Sequence, residues 1–230
     1  MRDLRFVEGV VSNLAIFRGV PPGPLAKLVR QCVAMPAGRG VAFARQGDPL
    51  PGIFALAYGA VKLVLSSANN EERVVRLVAP GQTFGEETSL LAQPCRYDAI
   101  ALVESKLVVI PSAAVFGLMD HDLRFTRGML VTLAERALEM LAEVKSATLL
   151  RGAQRLASYL MSLAAPGNGE DACMVKLPVS KTVVAARLGI KKETLSRLLR
   201  ELAEQGLIAV SRREIAILDR GRLAQAARVN

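Results

Sequence analysis

Lys191, Lys192, Glu193, Thr194, Ser196 and Arg197 put the densest potential chemistry of the chain into one short stretch. On a helix, Glu193, Ser196 and Arg197 occupy successive turns of one face. A glutamate there can accept from the N4 amino group of cytosine, and an arginine can donate twice to O6 and N7 of guanine. The two lysines stand where the helix must begin, where cations oppose the helix dipole by about 0.3 to 1 kcal/mol each. A phosphate nearby reverses that sign, because it is drawn to the lysines and to the free backbone N–H groups together. The set therefore reads as recognition of double-stranded DNA, set against the plainer reading of a solvated charged face.

The residues around the set are those that would position it. Ser180 can cap a first helix with an apolar stripe of Val183, Val184, Ala185 and Leu188, ended by Gly189. Leu195, Leu198, Leu199 and Leu202 stripe a second helix closed by Gly206, so the pair forms a helix-turn-helix. Leu207–Val210 and Ile215–Leu218 are β-prone runs joined by Ser211-Arg212-Arg213-Glu214, a hairpin wing that adds Arg212 and Arg213 to the DNA-binding set. The stretch LPVSKTVVAARLGIKKETLSRLLRELAEQGLI, with REIAILDRGRL behind it, resembles the winged helix-turn-helix of the CRP/FNR family. These are the cyclic-AMP receptor and anaerobic-regulator transcription factors. Their recognition helix carries a Glu and an Arg four apart, matched here by Glu193 and Arg197. Ser196 resembles the E-x-x-S-R variant of the FNR and nitric-oxide-responsive DNR/NNR-like branches, which implies a TTGA-type palindrome.

Bulk properties agree with such a protein. The 230 residues are 51% hydrophobic, enough for one large or two modest cores. Of the net charge of +9, a surplus of seven arises after residue 148, where 14 Lys and Arg face seven Asp and Glu. No 18-residue apolar run or basic amphipathic helix with aromatic anchors points to a membrane. The first residues lack a secretory core, which places the chain in the cytoplasm. Cys32, Cys95 and Cys173 are odd in number and far apart, so they read as inert thiols. They also lack the N-terminal cysteine cluster with which FNR holds iron–sulfur, so no such cluster is expected.

Residues 11–33 read as a helical entry, broken by the prolines at 21–24 and resumed as a helix over Leu25–Val33. From Ala37, short β-prone runs follow: 40–44, 52–57, 60–65, 73–78, 99–102 and 107–110. Gln46-Gly47-Asp48-Pro49, Phe54-Ala55-Leu56 and Gly59-Ala60-Val61-Lys62-Leu63 resemble the β-roll sensor domain of the same family. Two motif sets thus name one family in the right order. In its cyclic-nucleotide binders a cassette holds the ligand phosphate, and Gly85, Glu86 and Arg96 match it. Tyr97 replaces the hydroxyl residue, Glu87 an apolar one, and Asp98 adds a further acid, all unfavourable to a cyclic phosphate. The Arg96-Tyr97 pair looks more like the nitric-oxide-responsive sensors, which implies haem. His121 is the one histidine, however, and between Asp120 and Asp122 it reads as a solvated or capping residue.

Between roll and reader, Leu123, Thr126, Leu130, Leu133, Ala137, Met140, Val144 and Ala147 follow the three-and-four spacing of a coiled-coil seam. A second copy of the chain would cover it, and a palindromic operator needs two recognition helices about 34 to 36 Å apart. Catalysis finds no support: one histidine builds no Ser-His or Cys-His pair, and no metal or phosphate-loop motif occurs. The expectation is an α+β homodimer with a β-roll sensor over residues 1–118, a dimerisation helix over 119–148 and a winged helix-turn-helix over 149–230. The resemblance implies a small-molecule or gas effector and RNA polymerase as further partners. The alternative is a cyclic-nucleotide module acting through protein contacts, which would not need Lys191, Lys192, Arg212 and Arg213 together.

Overall fold

The computed structural model describes residues 3–67, 72–164 and 173–228. The chain divides into two compact units, Met1–Leu138 and Glu139–Asn230.

In the first unit, helix α1 (Leu4–Ser12), a 3-10 turn (Ala15–Phe17) and α2 (Pro22–Val29) precede eight strands. These are β1 (Val33–Ala37), β2 (Ala42–Ala44), β3 (Gly52–Tyr58), β4 (Val61–Ser66), β5 (Glu72–Val78), β6 (Thr83–Phe84), β7 (Asp98–Ala101) and β8 (Ser105–Pro111). Helix α3 (Glu86–Leu91) interrupts them, and α4 (Ser112–Met119) and α5 (Leu123–Leu149) follow. The strands form two antiparallel sheets, β1-β8-β3-β6 and β2-β7-β4-β5.

Side chains alternate across a strand, so a strand covered on both faces reads as an unbroken apolar run. Strand β3 is such a run. Phe54 and Leu56 enter the core between the sheets with Phe84, Leu107 and Tyr97, and the Phe54 and Phe84 rings stack at 5.1 Å. Ile53 and Ala55 point the other way, into a second core with Val108, Ile110, Val7, Leu28, Val115, Phe125 and Met129. The start of α5 belongs to that second core, where Phe125 stacks on Phe17 at 5.1 Å.

The entry differs from the sequence expectation. Pro22 and Pro24 sit inside the first turn of α2, where the missing N–H groups have no helical acceptor to lose. Val33 opens β1 instead of ending a helix, and Pro36 is tolerated because β1 lies at the sheet edge.

The second unit contains the end of α5, then α6 (Gly152–Leu163), β9 (Cys173–Lys176), α7 (Lys181–Leu188), α8 (Lys192–Glu204), β10 (Ile208–Ser211), β11 (Glu214–Ile217) and α9 (Arg220–Ala226). The wing hairpin acquires β9 as a third strand in the order β10-β11-β9. Leu156, Leu160, Val184, Leu188, Leu195, Leu199, Ile215, Ile217 and Leu223 are buried in this unit.

Of the expected seam on α5, Leu123, Leu130, Ala137, Met140, Val144 and Ala147 are exposed, and Thr126 and Leu133 turn inward. Thr126 donates its hydroxyl to the Met119 carbonyl at 2.9 Å, and Leu133 packs on the core that holds Phe125. The exposed apolar stripe instead runs through Leu130, Ala134, Ala137, Leu141 and Val144, flanked by Val131, Leu138 and Met140. Its spacing of four and three remains that of a coiled-coil seam.

Candidate nucleic-acid interface and effector site

Helix α7 begins where Ser180 accepts from the Val183 N–H at 3.4 Å and ends at Gly189, whose φ of 62° lies in the left-handed region. The Ile190 N–H bonds back to the Ala185 carbonyl at 3.0 Å, turning the chain into α8 with Lys191 as its cap residue. Leu195, Leu198, Leu199 and Leu202 are all buried, which fixes the rotation of α8. Lys191, Lys192, Glu193, Ser196, Arg197 and Arg200 are consequently exposed, and Thr194 is half-buried. Ser196 donates to the Lys192 carbonyl at 3.1 Å. Arg197 lies 3.8 Å from Glu201 with 69% of its side chain exposed, a loose pair that costs little to open. Lys191, Lys192 and Arg200 make no ion pair among the described residues.

The wing is tighter than its sequence suggests. Ser211 pairs with Glu214, which leaves a two-residue turn of Arg212 and Arg213. Arg212 takes the left-handed conformation, with φ 54°. Arg213 turns its guanidinium back to the Leu177 carbonyl at 3.1 Å, so the two arginines are not equivalent.

In the first unit, Gly85 makes the strand-to-helix turn with φ 88°, and a Cβ there would meet Leu50 Cδ1 at 3.2 Å. The turn delivers Glu86 to a fully buried position. Arg136 of α5 neutralises it: both guanidinium nitrogens donate to the carboxylate, one of them at 2.9 Å, and Arg136 also donates to Thr83 Oγ1 at 3.1 Å. Tyr97 is 8% exposed and donates its hydroxyl to Glu87 Oε1 at 2.8 Å. Burial, then the Glu87 charge, hold that phenol well above its ordinary range. The two departures from the cassette are therefore partners of each other. Asp98 accepts from the Gln46 N–H at 2.8 Å. Arg96 faces solvent and donates to Gln93 Oε1 at 3.2 Å, apart from the buried cluster of Gly85, Glu86 and Tyr97.

Sequence reasoning missed Arg136. Its signal was available, because Arg136 lies seven and eleven residues beyond Met129 and Phe125 and so shares their inward face. His121 Nδ1 lies 2.9 Å from the Gly117 carbonyl at the end of α4. Burial pushes the Cys32 thiol up to about 12, in keeping with an inert role.

The cyclic nucleotide-binding domain family matches residues 37–122, and the Crp-like helix-turn-helix domain family matches residues 154–226. The CRP-like cAMP-activated global transcriptional regulator of Mycobacterium tuberculosis is 23% identical, over 96% of this chain and 100% of its own length. The transcriptional activator protein anr of Pseudomonas aeruginosa is 27% identical, over 80% of this chain and 76% of its own. The chain belongs to the CRP/FNR family. FixK2 of Bradyrhizobium japonicum shows the same fold, with a TM-score of 0.75 at 19% identity over 86% of this chain and 98% of that one. As a CRP/FNR member, the chain is a DNA-binding transcription regulator with an effector-binding domain, and its relatives are regulators, not enzymes. No helix among the described residues is long and apolar enough to cross a membrane.

Proposed function

We propose that the protein is a cytoplasmic homodimer in which residues 1–118 sense an effector, 119–148 join two copies and 149–230 read a TTGA-type palindrome, with RNA polymerase as a further partner. The observation that carries this reading is α8: four buried leucines lock its inner face, and six polar side chains at its reading end are left to solvent. Glu193, Ser196 and Arg197 read base edges, while Lys191, Lys192 and Arg212 meet phosphates and Thr194 and Arg213 support them. The exposed stripe on α5 supplies the two-fold contact that a palindrome requires. Selection from a random duplex pool, followed by titration across a salt series, tests the reading. Enrichment of TTGA palindromes and a steep fall of log affinity with log salt are expected; a flat salt response would overturn it.

The effector in this reading is not a cyclic nucleotide. Glu86 is held by Arg136, Glu87 by Tyr97, and Asp98 by a backbone N–H, so the cassette's acids already have their donors. Arg96 faces solvent apart from that cluster, and a cyclic phosphate entering the cassette would be opposed by Glu87 and Asp98 by about 1 kcal/mol each at 4 Å even in a water-like dielectric. His121 is exposed between Asp120 and Asp122, where it is not placed to enter a buried haem pocket as an axial ligand. Calorimetry with cyclic AMP and cyclic GMP should show no micromolar site; one that disappeared with Arg96→Ala would reverse this conclusion. A haemin absorbance titration in parallel should be unchanged by His121→Ala.

A further inference from the structure

Helix α5 runs into the second unit without burying a single side chain there. From Glu139 to Leu149 only Glu143 and Ser146 are half-buried, and every other residue is exposed. The reading module has a core of its own: α6 supplies Leu156 and Leu160, α7 supplies Val184 and Leu188, and both helices pack on α8. A rotation of that module against α5 would expose almost no apolar surface, so the hydrophobic effect does little to resist it.

What joins α5 to the module is polar. Arg155 of α6 reaches back to the end of α5, where one guanidinium nitrogen donates to the Leu150 carbonyl at 2.9 Å and to the Ala147 carbonyl at 3.4 Å. The last carbonyls of a helix lack internal partners and carry its negative end, which makes a cation a fitting cap. One turn earlier on α5, the Glu143 carboxylate accepts from Arg187 of α7, 44 residues away in sequence. The side chains of that pair are 40% and 20% exposed, so it adds little to folding stability. Its consequence is orientation, since the two arginines tie two helices of the module to one face of α5.

We infer, resting on the proposed homodimer joined along α5, that Arg187 and Arg155 are positioning residues: they set the angle of α8 on α5, and through it the half-site spacing that two copies accept. Two recognition helices must arrive about one turn of duplex apart. Inserting one base pair moves a half-site by about 3.4 Å and rotates it by about 35°. A reader held rigidly on α5 rejects the altered spacing, because both half-sites are no longer engaged at once, whereas a reader held loosely follows it. Neither arginine needs to touch DNA for this.

Affinity of the full chain is measured on the palindrome selected from the random pool, on versions lengthened or shortened at the centre by one base pair, and on a duplex with a single half-site. The unaltered protein should lose about tenfold or more on either altered spacing. In Glu143→Gln, Arg187→Met and Arg155→Met that loss should shrink to about threefold or less, with single-half-site affinity kept within about twofold of the parent. Intact half-site binding also shows that the module folds. Glu143→Gln, an isosteric change at a part-exposed carboxylate, decides the matter if an arginine variant does not fold. Unchanged spacing preference in the variants overturns the inference. So does loss of affinity for every duplex with a shallower salt slope in Arg187→Met or Arg155→Met while Glu143→Gln behaves as the parent, since those arginines would then be phosphate contacts. A failed homodimer reading looks different: the unaltered protein would bind palindrome and single half-site alike at every spacing, which would overturn both.

Discussion

The two units dispose of their charged side chains in opposite ways. Around Gly85, Glu86 is spent on Arg136, Glu87 on Tyr97 and Asp98 on a backbone N–H. At the head of α8, Lys191, Lys192 and Arg200 are left to solvent, and Arg197 keeps only a loose neighbour at 3.8 Å. The difference follows from burial. A carboxylate with no exposure must be neutralised where it stands, because an unpaired buried charge costs several kcal/mol. An exposed ammonium costs almost nothing to leave alone, and water holds it until a phosphate displaces the counterions. The first cluster is satisfied within the protein itself, and the second leaves its charges to solvent.

Removing Arg136 should produce the largest effect. Arg136→Met leaves the buried Glu86 carboxylate without its ion-pair partner, and should cost about 3 to 5 kcal/mol in urea unfolding. Adding Glu86→Gln should recover much of that loss, because the uncompensated charge is then gone. An Arg197→Met variant, by contrast, should unfold like the parent. A single Arg136→Met variant as stable as the parent would show that the first site is not closed in the way described.

The same contrast divides α5 between its two faces. Ala137 is exposed on the apolar stripe, whereas Leu133 packs into the core of the first unit. If the proposed two-fold contact runs along this stripe, Ala137→Asp should leave each copy folded but place two like charges in it, costing about 3 kcal/mol of association and with it operator binding. Leu133→Asp should lower the unfolding midpoint itself. Sedimentation of the Ala137→Asp protein as an unchanged dimer would move the contact elsewhere.

Much of this is legible in the sequence alone. The leucines of α8, the Ser180 cap and the Gly189 stop are local signals read within one turn, and each lands where the sequence puts it. The β-roll strands from Gly52 onward were readable because β3 and β8, buried on both faces, form unbroken apolar runs. The stripe is offset by only part of a turn from the expected seam: Leu130, Ala137 and Val144 belong to both, while Thr126 and Leu133 turn inward, because spacing gives the period of an apolar stripe but not which of two adjacent stripes the core takes. Phe125 and Met129 decide that, through contacts with residues more than a hundred positions earlier, such as Phe17. The inward face of Arg136 can be read from its spacing to Phe125 and Met129, but its pairing with Glu86 cannot, because the two lie 50 residues apart and meet only after the roll has closed. Glu87 and Tyr97 looked like two separate defects in a phosphate cassette, and only their 2.8 Å contact makes them one feature.

A smaller effect separates reading from holding on α8. Arg197→Ala should cost about 1 to 3 kcal/mol on the preferred operator and flatten selectivity at one base pair. Lys192→Ala should weaken every duplex alike and reduce the salt slope by about one. Measured by anisotropy on operator and scrambled duplexes, an Arg197→Ala protein with undiminished preference would remove that residue from the reading set.

The wing carries the smallest and most discriminating case, since its two adjacent arginines resemble the two units in miniature. Arg213 is engaged within the protein, donating to Leu177, and Arg212 is exposed in a left-handed conformation that an arginine adopts at a cost of about 1 kcal/mol. Asparagine tolerates that conformation, so Arg212→Asn should raise folding stability by about 0.5 to 1 kcal/mol. If Arg212 meets a phosphate, the same change should weaken all duplexes and lower the salt slope by about one. Arg213→Ala should do the reverse, losing about 1 kcal/mol of stability with the removed hydrogen bond and leaving the slope unaltered. Strain kept at an exposed turn for the sake of a contact made only in the complex predicts opposite signs for stability and binding at Arg212. An Arg212→Asn protein that is more stable and binds DNA with the parent's affinity and slope would leave that strain without a function.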